Sequence, residues 1–256
     1  MMEYVALFVM AVVANGLSAL AGGGAGLLQL PALLLLGLPF PLALATHKVA
    51  SVALGVGASV RHARERSLRP GFALFMLACG LPGVVSGAWI IVLVPEAWAR
   101  LALGVLTLGL GIYSLASPDL GLKSERKHRS LRGYLIGGLG LMLIGVLNGS
   151  ITSGTGLFVT LWLVFWFGLD YTRAVAYTLV LVGLFWNGVG AGTLALRSDI
   201  AWHWVPPLLA GAVIGGYAGA HWSIARGSQW VKWAFEAMTF LVGLALLADA
   251  AHRLLQ

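Results

Sequence analysis

Two short stretches rich in glycine and hydroxyl residues carry most of the chemistry this sequence offers. The first is Ala-Gly-Gly-Gly-Ala-Gly at 21–26, and the second is Gly-Ser-Ile-Thr-Ser-Gly-Thr-Gly at 149–156. Each precedes a short apolar piece, 26–38 and 156–168. Gly22, Gly23, Gly24 and Gly26 remove side chains, so a ligand or a second helix can approach the main chain closely. A short helix starting near Leu27 or Leu157 would aim N–H groups and a partial positive charge at that space. Such an end accepts an anion without any lysine. The second stretch adds the hydroxyls of Ser150, Thr152, Ser153 and Thr155 and the amide of Asn148, all able to hydrogen-bond an oxyanion. Close helix packing is the competing use of glycine, and it is the role expected for Gly83-x-x-x-Gly87, Gly133-x-x-x-Gly137 and Gly211-x-x-x-Gly215-x-x-x-Gly219.

Ionisable residues inside apolar runs are costly and default to a functional reading. Lys48 follows Pro41 by seven residues and sits beside His47. The pair suits anion binding or a proton-linked role, while a lysine near a helix end can also snorkel to the interface. Adjacent positions lie about 100° apart on a helix, so both need not face one cavity. Glu236 lies four residues after Lys232, which fits either a local contact or a proton-coupling carboxylate. Asn187 and Gln29 interrupt apolar runs and suit either a site or helix–helix hydrogen bonding. His221 and Asp249 fall close to helix ends and read as interfacial.

These residues are set in an unusually apolar chain. Of 256 residues, 59% are hydrophobic and only 10% charged, against roughly 25% charged in a soluble domain. A cytosolic enzyme, a disordered chain and a disulfide-stapled module are thereby excluded. Cys79 is the single cysteine, read as a buried inert thiol that can form neither an internal disulfide nor a thiolate metal cluster. A crossing needs about 20 apolar residues, which predicts helices near 3–20, 42–60, 71–93, 98–116, 133–149, 172–196, 203–222 and 231–251. The first ends in a signal-like Ala-Leu-Ala but lacks a preceding Lys or Arg, so it reads as a retained helix. The pieces 26–38 and 156–168 are too short to cross alone. The 36 residues from Glu3 to Leu38 reach about 54 Å as helix, too little for two crossings and a turn. One full helix followed by a re-entrant or discontinuous half-helix fits better.

The net charge of +7 could suggest nucleic acid, but nine of the sixteen cations fall in two loops. These loops, 61–70 and 117–132, read as cytoplasmic. A shift of 131 residues aligns Gly23 with Gly154, Leu30 with Leu161, Gly37-Leu38 with Gly168-Leu169, and Ala43 and Ala45 with Ala174 and Ala176. The chain thus divides into a first repeat (1–116), a basic loop (117–132) and a second repeat (133–256). A duplicated chain whose halves each carry a broken helix points to a secondary transporter with its site between the repeats. Re-entrant pieces imply four crossings per half and parallel repeats; full crossings imply five and inverted repeats. Lys and Arg divide eleven to four in the first case and twelve to three in the second, Lys48 aside. That difference decides nothing.

A Gly-rich stretch after the first helix, then a proline, then Gly and an Ala-Thr pair, repeated more weakly in the second half, resembles the TauE/SafE sulfite-exporter family. The elements here are Ala-Gly-Gly-Gly-Ala-Gly-Leu-Leu-Gln-Leu-Pro (21–31), Gly37 and Ala45-Thr46, then Ser153-Gly154-Thr155-Gly156, Gly168 and Ala176. The resemblance covers essentially the whole chain and implies movement of sulfite, sulfonates and related anions across the bacterial inner membrane. The family usually has a small polar residue after Ala-Thr. This chain instead has Thr46-His47-Lys48 and, in the second half, Tyr177-Thr178.

No Gly-x-Ser-x-Gly, His-Glu-x-x-His or Walker lysine motif occurs, so no enzyme or built-in ATPase is expected. The expectation is an all-α polytopic inner-membrane protein of two repeats, each with about four crossings, a break and a half-helix. It would move a small sulfur-containing anion, with a proton as any coupling ion and neither cofactor nor metal. The expected binding set is Gly23, Gly24, Gly26, Gln29, Thr46, His47, Lys48, Asn148, Ser150, Thr152, Ser153, Thr155, Thr178 and Asn187, with His47 and Glu236 for proton coupling. A passive anion channel and an accessory subunit of another complex are the alternatives. The bilayer is a partner, nucleic acid is not, and homo-oligomerisation is left open.

Overall fold

Apolar runs without competing turn chemistry satisfy their own backbone as helices, the open-chain solution that lipid permits. In the computed structural model, which describes residues 2–63, 68–90, 96–125, 127–151, 154–196 and 198–254, they do so throughout. The elements are α1 (Met2–Ala21), α2 (Ala25–Leu35), α3 (Phe40–Ala63), α4 (Pro70–Ile90), α5 (Glu96–Ala116), α6 (Leu131–Ser150), α7 (Thr155–Phe165) and α8 (Tyr171–Ala195). A last helical run, Val205–Leu254, breaks at Gly227 (φ 75°, ψ −179°) into α9 (205–226) and α10 (228–254). No strand occurs among the described residues. Among the described residues six stretches are long and apolar enough to span a bilayer, the last of them holding both α9 and α10. The chain is a polytopic membrane protein. Cys79 is half-buried rather than buried and lies against Gly138 of α6.

Both short pieces are half-helices, each 11 residues and about 16 Å long. They begin two residues earlier than expected, at Ala25 and Thr155, because Gly24 (φ 101°) and Gly154 (φ 77°) turn the chain through left-handed geometry there. Each then folds back along the helix before it. Asn15 Nδ2 of α1 donates to Gln29 Oε1 of α2 at 2.9 Å. On the other side, Trp162 and Trp166 of α7, stacked at 5.3 Å, donate their indole N–H groups to the carbonyls of Gly137 and Gly133 in α6. Gly133-x-x-x-Gly137 therefore seats an indole ladder, where a helix–helix seam was expected.

Glycine seams fix the directions of the full helices. Gly211, Gly215 and Gly219 of α9 meet Phe8, Val12 and Gly16 of α1 in ascending order, so these two helices run the same way. Gly83 and Gly87 of α4 meet Met142 and Val146 of α6, also in ascending order. Two other pairs run oppositely. Gly55 of α3 packs on Gly183 of α8 while Lys48 packs on Gly190, and Gly104 and Gly111 of α5 face Leu247 and Thr239 of α10. α1 with α2 and α6 with α7 thus form two in-and-back hairpins. The N-termini of α4 and α6 share one end of the bundle, where Arg129 lies 5.5 Å from the Phe72 ring centroid.

Candidate functional site

The two half-helices meet head to head. A Cβ on Gly23 would fall 2.5–2.6 Å from the main chain of Gly156 and Leu157, so only glycine allows the contact. Beside this junction is a buried cavity of about 40 Å³. Gly23, Gly24, Ala25 and Gly26 of the first break and Thr155 and Gly156 of the second line it, together with Ser18, His47, Ser51, Asn148, Thr178 and Asn187. Leu54, Leu179, Val182 and Gly183 form its apolar wall. Thr178, Leu179, Val182 and Gly183 lie on a π-helical stretch, Thr178–Trp186, within α8. Wide turns of this kind occur often at functional sites.

The polar groups form a connected layer. Asn148 Nδ2 donates to Thr155 Oγ1 (2.9 Å) and to Asn187 Oδ1 (3.4 Å). Behind Asn148, Lys48 Nζ donates to its main-chain carbonyl (2.8 Å) and to its Oδ1 (3.3 Å). Lys48 is fully buried and forms no ion pair among the described residues. The lysine therefore does not snorkel; it places its amine one residue behind the cavity wall. His47 Nε2 lies 3.1 Å from Ser51 Oγ. Its Nδ1 and the Ser18 hydroxyl are buried with no hydrogen-bond partner among the described residues. Such atoms cost about 1–3 kcal/mol each when left unpaired, which a polar occupant of the cavity would recover. Among the described lining residues there is no carboxylate.

Of the expected binding residues, Gly23, Gly24, Gly26, His47, Asn148, Thr155, Thr178 and Asn187 come together here. Others are placed elsewhere. Gln29 is engaged with Asn15 between α1 and α2. Thr46 Oγ1 accepts from the Ala201 amide at 3.0 Å and so fixes the segment before α9. Ser150 Oγ returns to the Val146 carbonyl of its own helix. Thr152 and Ser153 lie outside the described residues. Glu236 is far from the cavity, accepting from Ser114 Oγ at 2.9 Å and lying 3.7 Å from Lys232 Nζ. Lys232 in turn donates to the carbonyls of Ser117 and Pro118. His221 and Asp249 form exposed contacts with Arg61 and Arg253. Ser18 and Ser51 were not anticipated. Their spacing, four residues before Gly22 and four after His47, was the available signal.

A bundle of membrane-spanning helices that brings two broken segments and a layer of hydrogen-bonding side chains to one interior cavity defines a membrane transporter. The chain belongs to the family described as sulfite exporter TauE/SafE, whose model matches residues 7–246. It is 29% identical over 243 residues to a probable membrane transporter protein of Haemophilus influenzae, covering 95% of this chain and 94% of that one. It is also 27% identical to the probable membrane transporter protein ORF9 of Sinorhizobium sp. (97% and 94% covered). To YfcA of Escherichia coli K12, another probable membrane transporter protein, it is 25% identical (95% and 89% covered). No solved structure matches the chain.

Proposed function

We propose that this protein is a secondary transporter that carries a small sulfur-containing anion across the inner membrane, bound in the cavity between α2 and α7. The observation that carries this reading is electrostatic. Two half-helix N-termini, each entered through a left-handed glycine, meet at the cavity with the Lys48 side chain behind it and no carboxylate in the described lining. Helix N-termini and a buried cation attract negative charge, and the low dielectric of the interior strengthens both. Asn148, Thr155, Thr178, Asn187, Ser18 and His47 supply the hydrogen-bonding groups, and the sulfur chemistry comes from the family's description. A proton is the coupling ion of this reading.

The same reading treats residues 1–116 and 133–256 as inverted copies joined by the basic loop 117–132. Three pairings support it. Gly24 and Gly154 take the same left-handed turn before half-helices of equal length. Ser18 and Asn148, at a shift of 130 residues, both line the cavity, as do His47 and Thr178 at a shift of 131. The α1–α9 seam is matched by the α6–α4 seam. Rocking of one copy against the other would open the cavity to each side in turn. Uptake of labelled sulfite and methanesulfonate by proteoliposomes, set against chloride, tests the function. Saturable uptake that can be driven uphill is expected. Flux of no sulfur anion above empty vesicles would refute the substrate, and flux that never saturates would indicate a channel.

A further inference from the structure

We propose that one proton travels with each anion, taken up at His47 Nδ1 inside the same cavity, so that the protein is a proton–anion symporter. This rests on the transporter reading above. The argument begins with what surrounds His47. On its own helix it has Ser51, bonded to Nε2, and the adjacent Lys48. Across the cavity, α1 presents Ser18, α6 and α7 present Asn148 and Thr155, and α8 presents Thr178 and Asn187. On the outer face of α3, α9 meets Gly57 with Val213 and Tyr217, while its His221 is held at the exposed Arg61. Among the residues lining or adjoining the cavity only Lys48 is cationic, and none of those described is an acid. His47 is accordingly the one titratable side chain in the described lining.

The cavity therefore couples its two occupants. With no anion present, an imidazolium at His47 would be a second buried cation beside Lys48 with no opposing charge among the described residues. An anion in the cavity supplies that charge and gives Nδ1–H an acceptor, which Nδ1 otherwise lacks. Each occupant favours the other, and the effect is reciprocal by linkage. Mutual enhancement at one site is the requirement for symport; exchange would require the two to compete. Glu236, occupied by Ser114 and Lys232 and absent from the cavity lining, is not placed for this role. An inward proton gradient would then drive uptake of the anion.

Methanesulfonate is the discriminating probe, because it stays singly charged and cannot itself carry the proton. In proteoliposomes of the full chain without membrane potential, an acid-outside gradient of one pH unit should accumulate it about tenfold, the limit for one proton per monovalent anion. A trapped pH dye should report matching internal acidification. His47→Asn and His47→Gln should abolish both signals. Sulfite is run alongside with the leak through protein-free vesicles subtracted, and the same readouts apply to it. Anion flux that is indifferent to the gradient and moves no proton in the unmodified protein would overturn the proposal, whatever the variants do. So would gradient-driven accumulation that survives in both variants. Absence of flux for both anions would instead overturn the transporter reading on which it rests.

Discussion

Replacing Lys48 by methionine separates the electrostatic role of the cavity from its structural role. Methionine keeps an unbranched chain of similar length and removes the ammonium. Two hydrogen bonds from the ammonium to Asn148 are lost, worth about 1.5–3 kcal/mol each. Against this stands relief from burying an ammonium with no carboxylate partner, a penalty of several kcal/mol. The two effects oppose one another, so the variant is expected to insert and keep its thermal midpoint within several degrees. Anion binding has no such offset. With Nζ one residue behind the cavity wall, its distance to a bound anion is about 6 Å, and Coulomb's law at an effective dielectric of about 20 gives about 3 kcal/mol. That is roughly a hundredfold in affinity. The assay is the half-saturation concentration for sulfite uptake in proteoliposomes, with thermal unfolding in detergent as the control for folding. A K48M protein of ordinary stability whose half-saturation stays within about threefold of the unmodified protein would refute the argument, since a dissociation effect this large exceeds the scatter of such measurements.

Gly23→Ala places a Cβ 2.5 Å from the Gly156 carbonyl carbon at a φ of +139°, so α2 and α7 must separate by about an ångström. Transport should fall by about a hundredfold in a protein that still inserts, and retention of half the normal rate would count against the head-to-head junction as the site. Gly87→Val drives a side chain into the Val146 carbonyl, 2.1 Å from its Cβ, and is expected to lower the thermal midpoint by several degrees. Glu236→Leu strands Lys232 as an unpaired buried charge and should cost about 3–5 kcal/mol, while adding Lys232→Met should recover much of it. Additive losses in a melting experiment would show that the pair does not interact. Thr46→Val removes the acceptor of the Ala201 amide, so a lower midpoint is expected, with less loss of anion affinity than Asn148→Ala causes.

What was legible in the sequence was what local composition controls. Helix positions follow apolar run length, and the two half-helices follow from runs too short to cross after glycine-rich breaks. Eight of the expected binding residues share the cavity because they lie in or next to those breaks, or on the helices that flank them. Illegible were contacts between residues far apart in the chain. Thr46 reaches Ala201 across 155 positions, and nothing near Thr46 distinguishes a ligand donor from an acceptor for a distant amide. Ser150 looked like part of the site because its neighbours were, yet a serine in a last helical turn can return to its own backbone. Ser18 and Ser51 are ordinary small polar residues in apolar helices until the cavity is seen. The π-helical stretch in α8 depends on how α3 and α4 press on it, with Gly55 meeting Gly183 and Gly80 meeting Trp186.

The sequence leaves the crossing count open, at four or five per half. Length arithmetic argues against two crossings between Glu3 and Leu38. The Asn15–Gln29 bond shows that α2 returns along α1 toward the end where α1 began. On the inverted-copy reading proposed above, the hairpin contributes nothing to the parity and an odd number of crossings reverses the second half, in keeping with the same-direction α1–α9 and α4–α6 seams. The charge division follows from the same path. Counted by sequence segment, twelve of the Lys and Arg residues fall to the end carrying loops 61–70 and 117–132 and three to the other, with Lys48 in neither group. The positive-inside rule assigns the twelve to the cytoplasm. On that proposed reading the two head-to-head half-helices follow from inversion: each would enter from its own side of the membrane, and opposed entry would bring two N-termini, both positive, to one cavity.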